Sequence, residues 1–94
     1  MAVPILTSEV CEKIKRLADE IYYSIEPCGQ EKIDELDRLA SPYEYMDFDR
    51  AVMCKRFKDY HTFKRRSKKA EAWTGVQRHA KRIGGLALMA MQIQ

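Results

Sequence analysis

The chain has 94 residues, of which 46% are hydrophobic and 33% charged, and its formal net charge is +3. This length allows one helical domain with one core, and the apolar share excludes an intrinsically disordered chain. The three cysteines form no CxxC pair, which argues against a disulfide framework or a zinc site. Because the N-terminus lacks the pattern of a secretory signal and the longest apolar run is about half a membrane span, we expect a cytoplasmic protein that does not bind a membrane.

The charge is divided unevenly between the two halves of the chain. Residues 1–50 carry 12 acidic and 6 basic side chains, whereas residues 51–94 carry 2 acidic and 11 basic ones. The basic half can meet an anionic ligand, or it can meet the acidic half of a neighbouring copy. Because a single core of this size is only marginally stable, we also expect self-association.

Apolar residues in the first half predict two helices. The first, at about 8–26, is capped by Thr7 or Ser8, and its apolar stripe is Val10, Ile14, Leu17, Ile21 and Ile25. Pro27 and Gly29 end it. A shorter helix over about 30–40 follows, with Ile33, Leu36 and Leu39 on its apolar face.

The second half predicts a less regular helix and then a long one. A helix starts near Asp47, and its stripe is Phe48, Val52, Met53, Phe57 and Tyr60; the segment 61–69 has no apolar period and predicts a turn or frayed segment. The last helix, at about 67–92, should bury Ala72, Trp73, Val76, Ala80, Ile83, Ala87 and Met91. Gly84 and Gly85 lie within it, and the small residues there allow another helix to approach closely. Residues 83–91 are apolar nearly all round, which predicts contact on more than one side. The predicted fold is an all-α bundle of two long helices with one or two between them, assembling into a homo-oligomer.

The residue inventory predicts a protein that is not an enzyme and holds no cofactor. Neither His61 nor His79 accompanies a serine or cysteine in a nucleophile arrangement, and the glycines form no phosphate loop. Two acidic groups are read as solvated faces rather than magnesium sites: Glu31, Asp34 and Glu35, and Asp47 with Asp49. Cys11, Cys28 and Cys54 are read as buried small apolar residues.

Two basic groups are candidates for binding. Residues 64–69 hold Lys64, Arg65, Arg66, Lys68 and Lys69, and the aromatic residues around them suit nucleic-acid bases; the alternative is a charged turn that pairs with the acidic half. In the second group, Arg78, His79, Lys81 and Arg82, the two arginines share a helix face and can hold phosphate. Of the adjacent Tyr22 and Tyr23, one is expected to pack in the core and the other to remain free for stacking.

Two segments resemble a known family. They are Leu6-Thr7 with the run 14–21 (IKRLADEI), and Trp73-x-x-Val76-x-Arg78 followed by Gly84 and by the run 86–88 (LAL). Together these segments span about 40 of the 94 residues. They resemble the phage anti-CBASS sponges, which are related to the hairpin domain of anti-Thoeris sponges.

The resemblance implies a helical homo-oligomer, typically a hexamer, that sequesters cyclic dinucleotides between protomers and cyclic trinucleotides in separate pockets, without cleaving them. By position, Lys15 would flank a cyclic dinucleotide, and Arg78 with Glu71 would belong to the second pocket. The sequence departs from the family at about Val3, where the family has a stacking tyrosine, and at Gly84-Gly85, where it has Gly-Phe; residues 27–66 have no counterpart.

The sequence therefore predicts a phage counter-defence protein, in the cytoplasm of the bacterial host, that binds cyclic di- or trinucleotides. The expected ligand-binding residues are Lys15, Tyr22, Glu71, Arg78, His79 and Arg82. Two alternatives stay open: a small basic nucleic-acid-binding protein that uses residues 64–69, and an inhibitor that docks on a host protein through residues 83–91.

Overall fold

The computed structural model describes residues 7–93, within which the chain forms four α-helices and no strand. They are α1 (Ser8–Tyr22), α2 (Gln30–Ala40), α3 (Asp47–Thr62) and α4 (Arg66–Ile93), and a short 3-10 turn (Glu44–Met46) precedes α3. The longest dimension is 44 Å, close to the roughly 42 Å that a 28-residue helix such as α4 spans. The predicted all-α class with four helices is confirmed, but only one of the two predicted long helices is: α4 has 28 residues, whereas α1 has 15 and is shorter than α3, which has 16. Val3, Leu6 and the rest of residues 1–6 lie outside the described part of the chain.

Helix α1 begins where the sequence predicts but ends earlier. The Thr7 hydroxyl accepts a hydrogen bond from the Val10 amide at 3.2 Å, as an N-cap should. The helix stops at Tyr22 rather than near residue 26, and Ile25, expected in its apolar stripe, is 100% exposed. That part of the prediction is wrong, and the reason lies in α4.

The side-chain amide of Gln77, on α4, donates hydrogen bonds to backbone carbonyls at the C-terminal end of α1 and just after it. Its Nε2 lies 3.3, 3.1 and 3.1 Å from the carbonyl oxygens of Ile21, Tyr22 and Ser24. The last carbonyls of a helix lack partners within the helix, so a donor from another element can satisfy them. A contact across more than fifty positions of sequence thus fixes the end of α1.

Helices α2 and α3 are joined by one arginine. Arg50 Nη1 donates to Asp37 of α2 at 2.7 Å, and Nη2 donates to Asp47 in the first turn of α3. These two bonds raise the pKa of Arg50 further above its ordinary value. The pairing thus links α2 to the first turn of α3.

The buried face of α3 differs from the predicted stripe. Met53 and Phe57 are buried as expected, but Phe48 is 66% exposed and Asp49 is buried instead. The Asp49 carboxylate faces α4, where the side chains of His79 and Arg82 both contact it. Pairing of this kind is what makes burial of a carboxylate tolerable.

The turn between α3 and α4 is shorter than the sequence predicts. Helix α3 continues through Thr62, whose hydroxyl donates to the Lys58 carbonyl at 2.8 Å, and α4 already begins at Arg66. Between α3 and α4, only residues 63–65 are not helical. The run of lysine and arginine has no apolar period, but both residues have high helix propensity, so the segment 66–69 is helical.

Helix α4 packs against α1 and α3, and these are the most extensive helix contacts in the fold. Its predicted buried face is confirmed for Ala72, Trp73, Val76, Ala80, Ile83 and Ala87, while Met91 is only partly buried. A Cβ placed on Gly84 would lie 3.0 Å from the Cβ of Ala18, so the small residues do allow α1 to approach closely.

The apolar segment 83–91 is covered on one side within the single chain. Gly85, Leu88 and Met89 are exposed, whereas Ile83 and Ala87 are in the core.

The cysteine prediction holds for Cys11, which is buried, but Cys28 and Cys54 are only half-buried. Within residues 7–93, no helix combines the length and apolar character that crossing a bilayer requires.

Candidate functional site

One face of α4 remains open to solvent. Six exposed residues recur there at alternating steps of three and four, which places them in one stripe along the helix: Glu71, Thr74, Arg78, Lys81, Gly85 and Leu88. The opposite face is the core face described above. Helices α1 and α3 flank the stripe, so clefts form on both of its sides.

One cleft, of about 490 Å³, lies between α3 and α4. Arg56 of α3 forms one wall, and Glu71, Gly75 and Arg78 of α4 are among the residues of the other. Gly75 lets the arginine approach: a Cβ there would lie 3.1 Å from Arg56 Cγ. The missing side chain therefore brings two guanidinium groups to one cleft.

Two further clefts continue along the same stripe. One of about 360 Å³ shares Thr74 and Arg78 with the first cleft and adds Tyr22 and Lys81. The next, of about 200 Å³, shares Tyr22 and Lys81 with the second and reaches Lys15. We call these three adjoining clefts the α4 groove. The first two volumes lie within the about 300–1,000 Å³ that small-ligand sites commonly measure, and the third is smaller.

Five of the six sequence-predicted site residues line the α4 groove, and Arg82 does not. Glu71, Arg78 and His79 line the first cleft, while Lys15 and Tyr22 line the third. The groove therefore brings together side chains from both segments of the family resemblance.

The cations of α4 are divided by one buried carboxylate. Asp49 is 5% exposed, and its Oδ1 lies 2.8 Å from Nδ1 of His79 and 3.1 Å from Nε of Arg82. The sequence predicts that the two arginines bind phosphate together, but their contacts differ. Arg82 forms an ion pair with Asp49, whereas Arg78 has no hydrogen bond or ion pair within residues 7–93. A buried carboxylate requires such partners, so His79 and Arg82 stabilise the fold, a role that the sequence does not reveal.

Tyr22 and Lys81 form a cation–π pair in the middle of the groove. Lys81 Nζ lies 4.7 Å from the centre of the Tyr22 ring and donates to its hydroxyl at 3.4 Å. Tyr22 is half-buried and Tyr23 is exposed, so neither ring is fully in the core, contrary to the prediction that one would be. A tyrosine ring with a lysine above it presents both a flat face and a positive charge.

Two predicted site residues are already engaged by neighbours on their own helices. Lys15 donates to Asp19 at 2.7 Å, and Glu71 lies 3.6 Å from Lys68. These pairs are solvent-accessible and weak, so either residue can exchange its partner for a ligand at small cost.

Sequence reasoning missed Arg56 and did not rank Lys81 among the site residues. Arg56 stands alone in α3, and the signal that could have found it is Gly75, a glycine inside a helix where a side chain from elsewhere must pass. The interpretation of Asp47 with Asp49 as a solvated face is wrong for Asp49, which is buried against α4. Within the described residues, no three His, Cys, Asp or Glu side chains are grouped so that they could hold a metal ion.

Comparison of the chain with protein-family models, with curated proteins and with solved structures finds no match. The class that the fold and groove define is thus a small all-α protein with a cationic, tyrosine-lined groove. Of the residues that carry the sponge resemblance, Lys15 and Arg78 line the groove, whereas Ile14, Trp73 and Val76 are in the core.

Proposed function

We propose that this protein is a non-enzymatic binder that sequesters cyclic di- or trinucleotides in the α4 groove, as a phage counter-defence sponge would. The observation that carries the proposal is Arg78, an exposed guanidinium shared by two clefts and without an acidic partner in the described chain. A guanidinium in this position suits phosphate, to which it donates two parallel hydrogen bonds.

The groove offers the two kinds of contact that a cyclic oligonucleotide needs. Arg56, Arg78 and Lys81 supply positive charge at successive positions, which matches a ligand with two or three phosphates. Tyr22 supplies an aromatic face for a base. The same groove would discriminate against single small anions, because they engage one cation and no ring.

The groove favours holding a ligand over cleaving it. His79, the histidine that lines the groove, is occupied by Asp49, and the Thr74 hydroxyl donates to the Ala70 carbonyl at 2.9 Å. Neither side chain is placed as a base beside a nucleophile. A bound ligand is therefore expected to leave chemically unchanged.

A second copy of the chain would complete the groove under this proposal. The stripe 71–88 has the three-and-four spacing of a helix interface, and Gly85 and Leu88 at its end are exposed. Docking of another α4 there would cover apolar surface and enclose the cationic clefts. The proposed homo-oligomer and the proposed ligand site thus use the same surface.

The test is calorimetric titration with a panel of cyclic di- and trinucleotides, followed by denaturation and chromatography of the released ligand. We expect heat for at least one member and recovery of that ligand intact. Absence of both heat and depletion for every member would refute the proposal, and recovery of a cleaved product would refute its non-enzymatic part.

A matched pair of variants locates the site. Arg78→Ala removes the unpaired groove cation and should weaken binding by about 10- to 100-fold, the range for a lost charged hydrogen bond. Arg16→Ala removes the same charge from an exposed position on the α1–α2 side of the molecule and should leave affinity unchanged. Equal losses in both variants would mean that the ligand responds to net charge and not to the groove.

A further inference from the structure

The turn between α3 and α4 carries a second cationic surface, separate from the α4 groove. Lys64, Arg65 and Arg66 are all exposed there. None of them forms an ion pair within residues 7–93, and the carboxylates of α1 and α2 that form ion pairs do so with Lys15, Lys32, Arg38 and Arg50. The expectation that this turn pairs with the acidic half of its own chain is therefore wrong for the described residues.

The position of these cations makes them electrostatically unfavourable. They lie at the start of α4, whose first turn contains no acidic residue. The N-terminal end of a helix carries partial positive charge, so lysine and arginine there repel it. Neighbouring Lys68 and Lys69 add to this charge, and of the two only Lys68 has a carboxylate partner, Glu71 at 3.6 Å. An external polyanion would relieve the repulsion.

Aromatic rings accompany the charge. Phe63 follows directly after α3, is 37% exposed and does not belong to the core. His61 is exposed, and its ring meets Phe57 edge to face at 4.6 Å, which holds it in a fixed orientation. The centres of the Tyr60 and His61 rings are 5.1 Å apart, and Lys69 Nζ lies 5.0 Å from the centre of the Tyr60 ring.

We infer that the α3–α4 turn is a binding site for single-stranded nucleic acid, with Lys64, Arg65 and Arg66 on the phosphates and Phe63 stacking on a base. The exposed rings of His61 and Phe63 favour this partner over an acidic peptide or an anionic membrane, neither of which requires an exposed flat face next to the cations. They also favour single strands over a duplex, whose bases are already stacked. The inference is independent of the α4 groove, since the residues of the two surfaces do not overlap.

The experiment measures fluorescence anisotropy of a labelled oligothymidylate of about 15 nucleotides over a series of salt concentrations. An abasic phosphodiester polymer of equal length, a duplex and anionic vesicles serve as competitors. We expect the oligothymidylate to bind and the vesicles not to compete. The abasic polymer should compete at least about ten-fold less well, because it lacks the base that stacks on the aromatic ring.

Two variants separate charge from stacking. Each phosphate contact contributes about 0.7 to the slope of log affinity against log salt for single strands, so Arg65→Ala should lower that slope by about 0.7. Phe63→Leu should keep the slope and weaken binding about ten-fold, the scale of one base–aromatic stack. Arg16→Ala is the control for charge and should change neither quantity.

Three binding results for the unmodified protein and Phe63→Leu would overturn the inference. They are no binding at low salt, equal competition by the abasic polymer with no effect of Phe63→Leu, and preferential binding of the vesicles. Circular dichroism of Phe63→Leu checks that the helices are intact, as expected for a residue outside the core. Loss of binding in Arg78→Ala instead of Arg65→Ala would assign the oligonucleotide to the α4 groove and also overturn the inference.

Discussion

Gly84 and Gly85 are adjacent in α4 but face different surroundings, and alanine at each position should have opposite effects on stability. A Cβ on Gly85 would meet no atom within 4 Å. Gly85→Ala therefore changes little except helix propensity, which favours alanine by about 1 kcal/mol. For a domain of this size, that gain corresponds to a rise in Tm of about 4–8 °C.

At Gly84 the added carbon would lie 3.0 Å from the Cβ of Ala18. Two carbon atoms prefer a separation of about 3.5–4.0 Å, so the contact must lengthen by about 0.5–1 Å. Both carbons are attached directly to helical backbones, and rotation of a side chain cannot relieve the clash. Moving α1 away from α4 costs about 1–3 kcal/mol as overpacking, against the gain of about 1 kcal/mol in propensity.

We therefore expect the two variants to differ in free energy of unfolding by about 1–3 kcal/mol, with Gly85→Ala the more stable. Urea unfolding followed by far-ultraviolet circular dichroism measures this difference, provided that the m-values agree. Ala18→Gly combined with Gly84→Ala should remove the clash and show favourable coupling in a double-mutant cycle. Equal stabilisation by both alanines would show that α1 and α4 have room to spare and would refute the close-packing argument.

Three further predictions concern single side chains. Gln77→Leu should destabilise the fold by about 1–3 kcal/mol, because the carbonyls of Tyr22 and Ser24 lose the donor that Gln77 supplies; an unchanged urea midpoint would count against this role. His79→Leu should cost about 2–4 kcal/mol by leaving the buried Asp49 with a single partner, and the double variant with Asp49→Leu should recover part of the loss; no recovery would contradict the pairing argument. Burial, with the Asp37 carboxylate nearby, raises the pKa of Cys54 to about 11. With the other two thiols replaced by alanine, iodoacetamide should therefore modify folded Cys54 much more slowly at pH 8 than in urea, and stability should fall as pH rises from about 9 to 11 because the folded state keeps its proton longer. Equal rates in both states would contradict the raised pKa.

The helices were predictable because their apolar stripes are formed by local spacing. Ile14, Ala80 and Ile83 recur with the helical period, and the core contains them. The end of α1 was not predictable, because it depends on Gln77, which lies far away in sequence. The exposure of Phe48 was missed for a similar reason: the apolar period favours burying it, and only the position of Asp49 against α4 shows otherwise.

The candidate site was predictable in composition but not in the division of its charges. Charge and spacing pointed to the α4 arginines, and the groove contains Arg78. Which arginine stays available depends on where an α3 carboxylate meets α4, and no local pattern encodes that meeting. Arg56 was missed because it reaches the groove across a helix pair, over a glycine.

Asp49 has a consequence for how this surface can evolve. The carboxylate lies beneath α4 and does not line the groove, yet it determines how many cations are left over for other partners. Exchange of this one residue for asparagine would remove its negative charge and leave the charge of Arg82 uncompensated, without altering the shape of any cleft. A substitution at this buried position could thus raise or lower the affinity for polyanions without a change of any surface residue. The change would weaken the contact between α3 and α4.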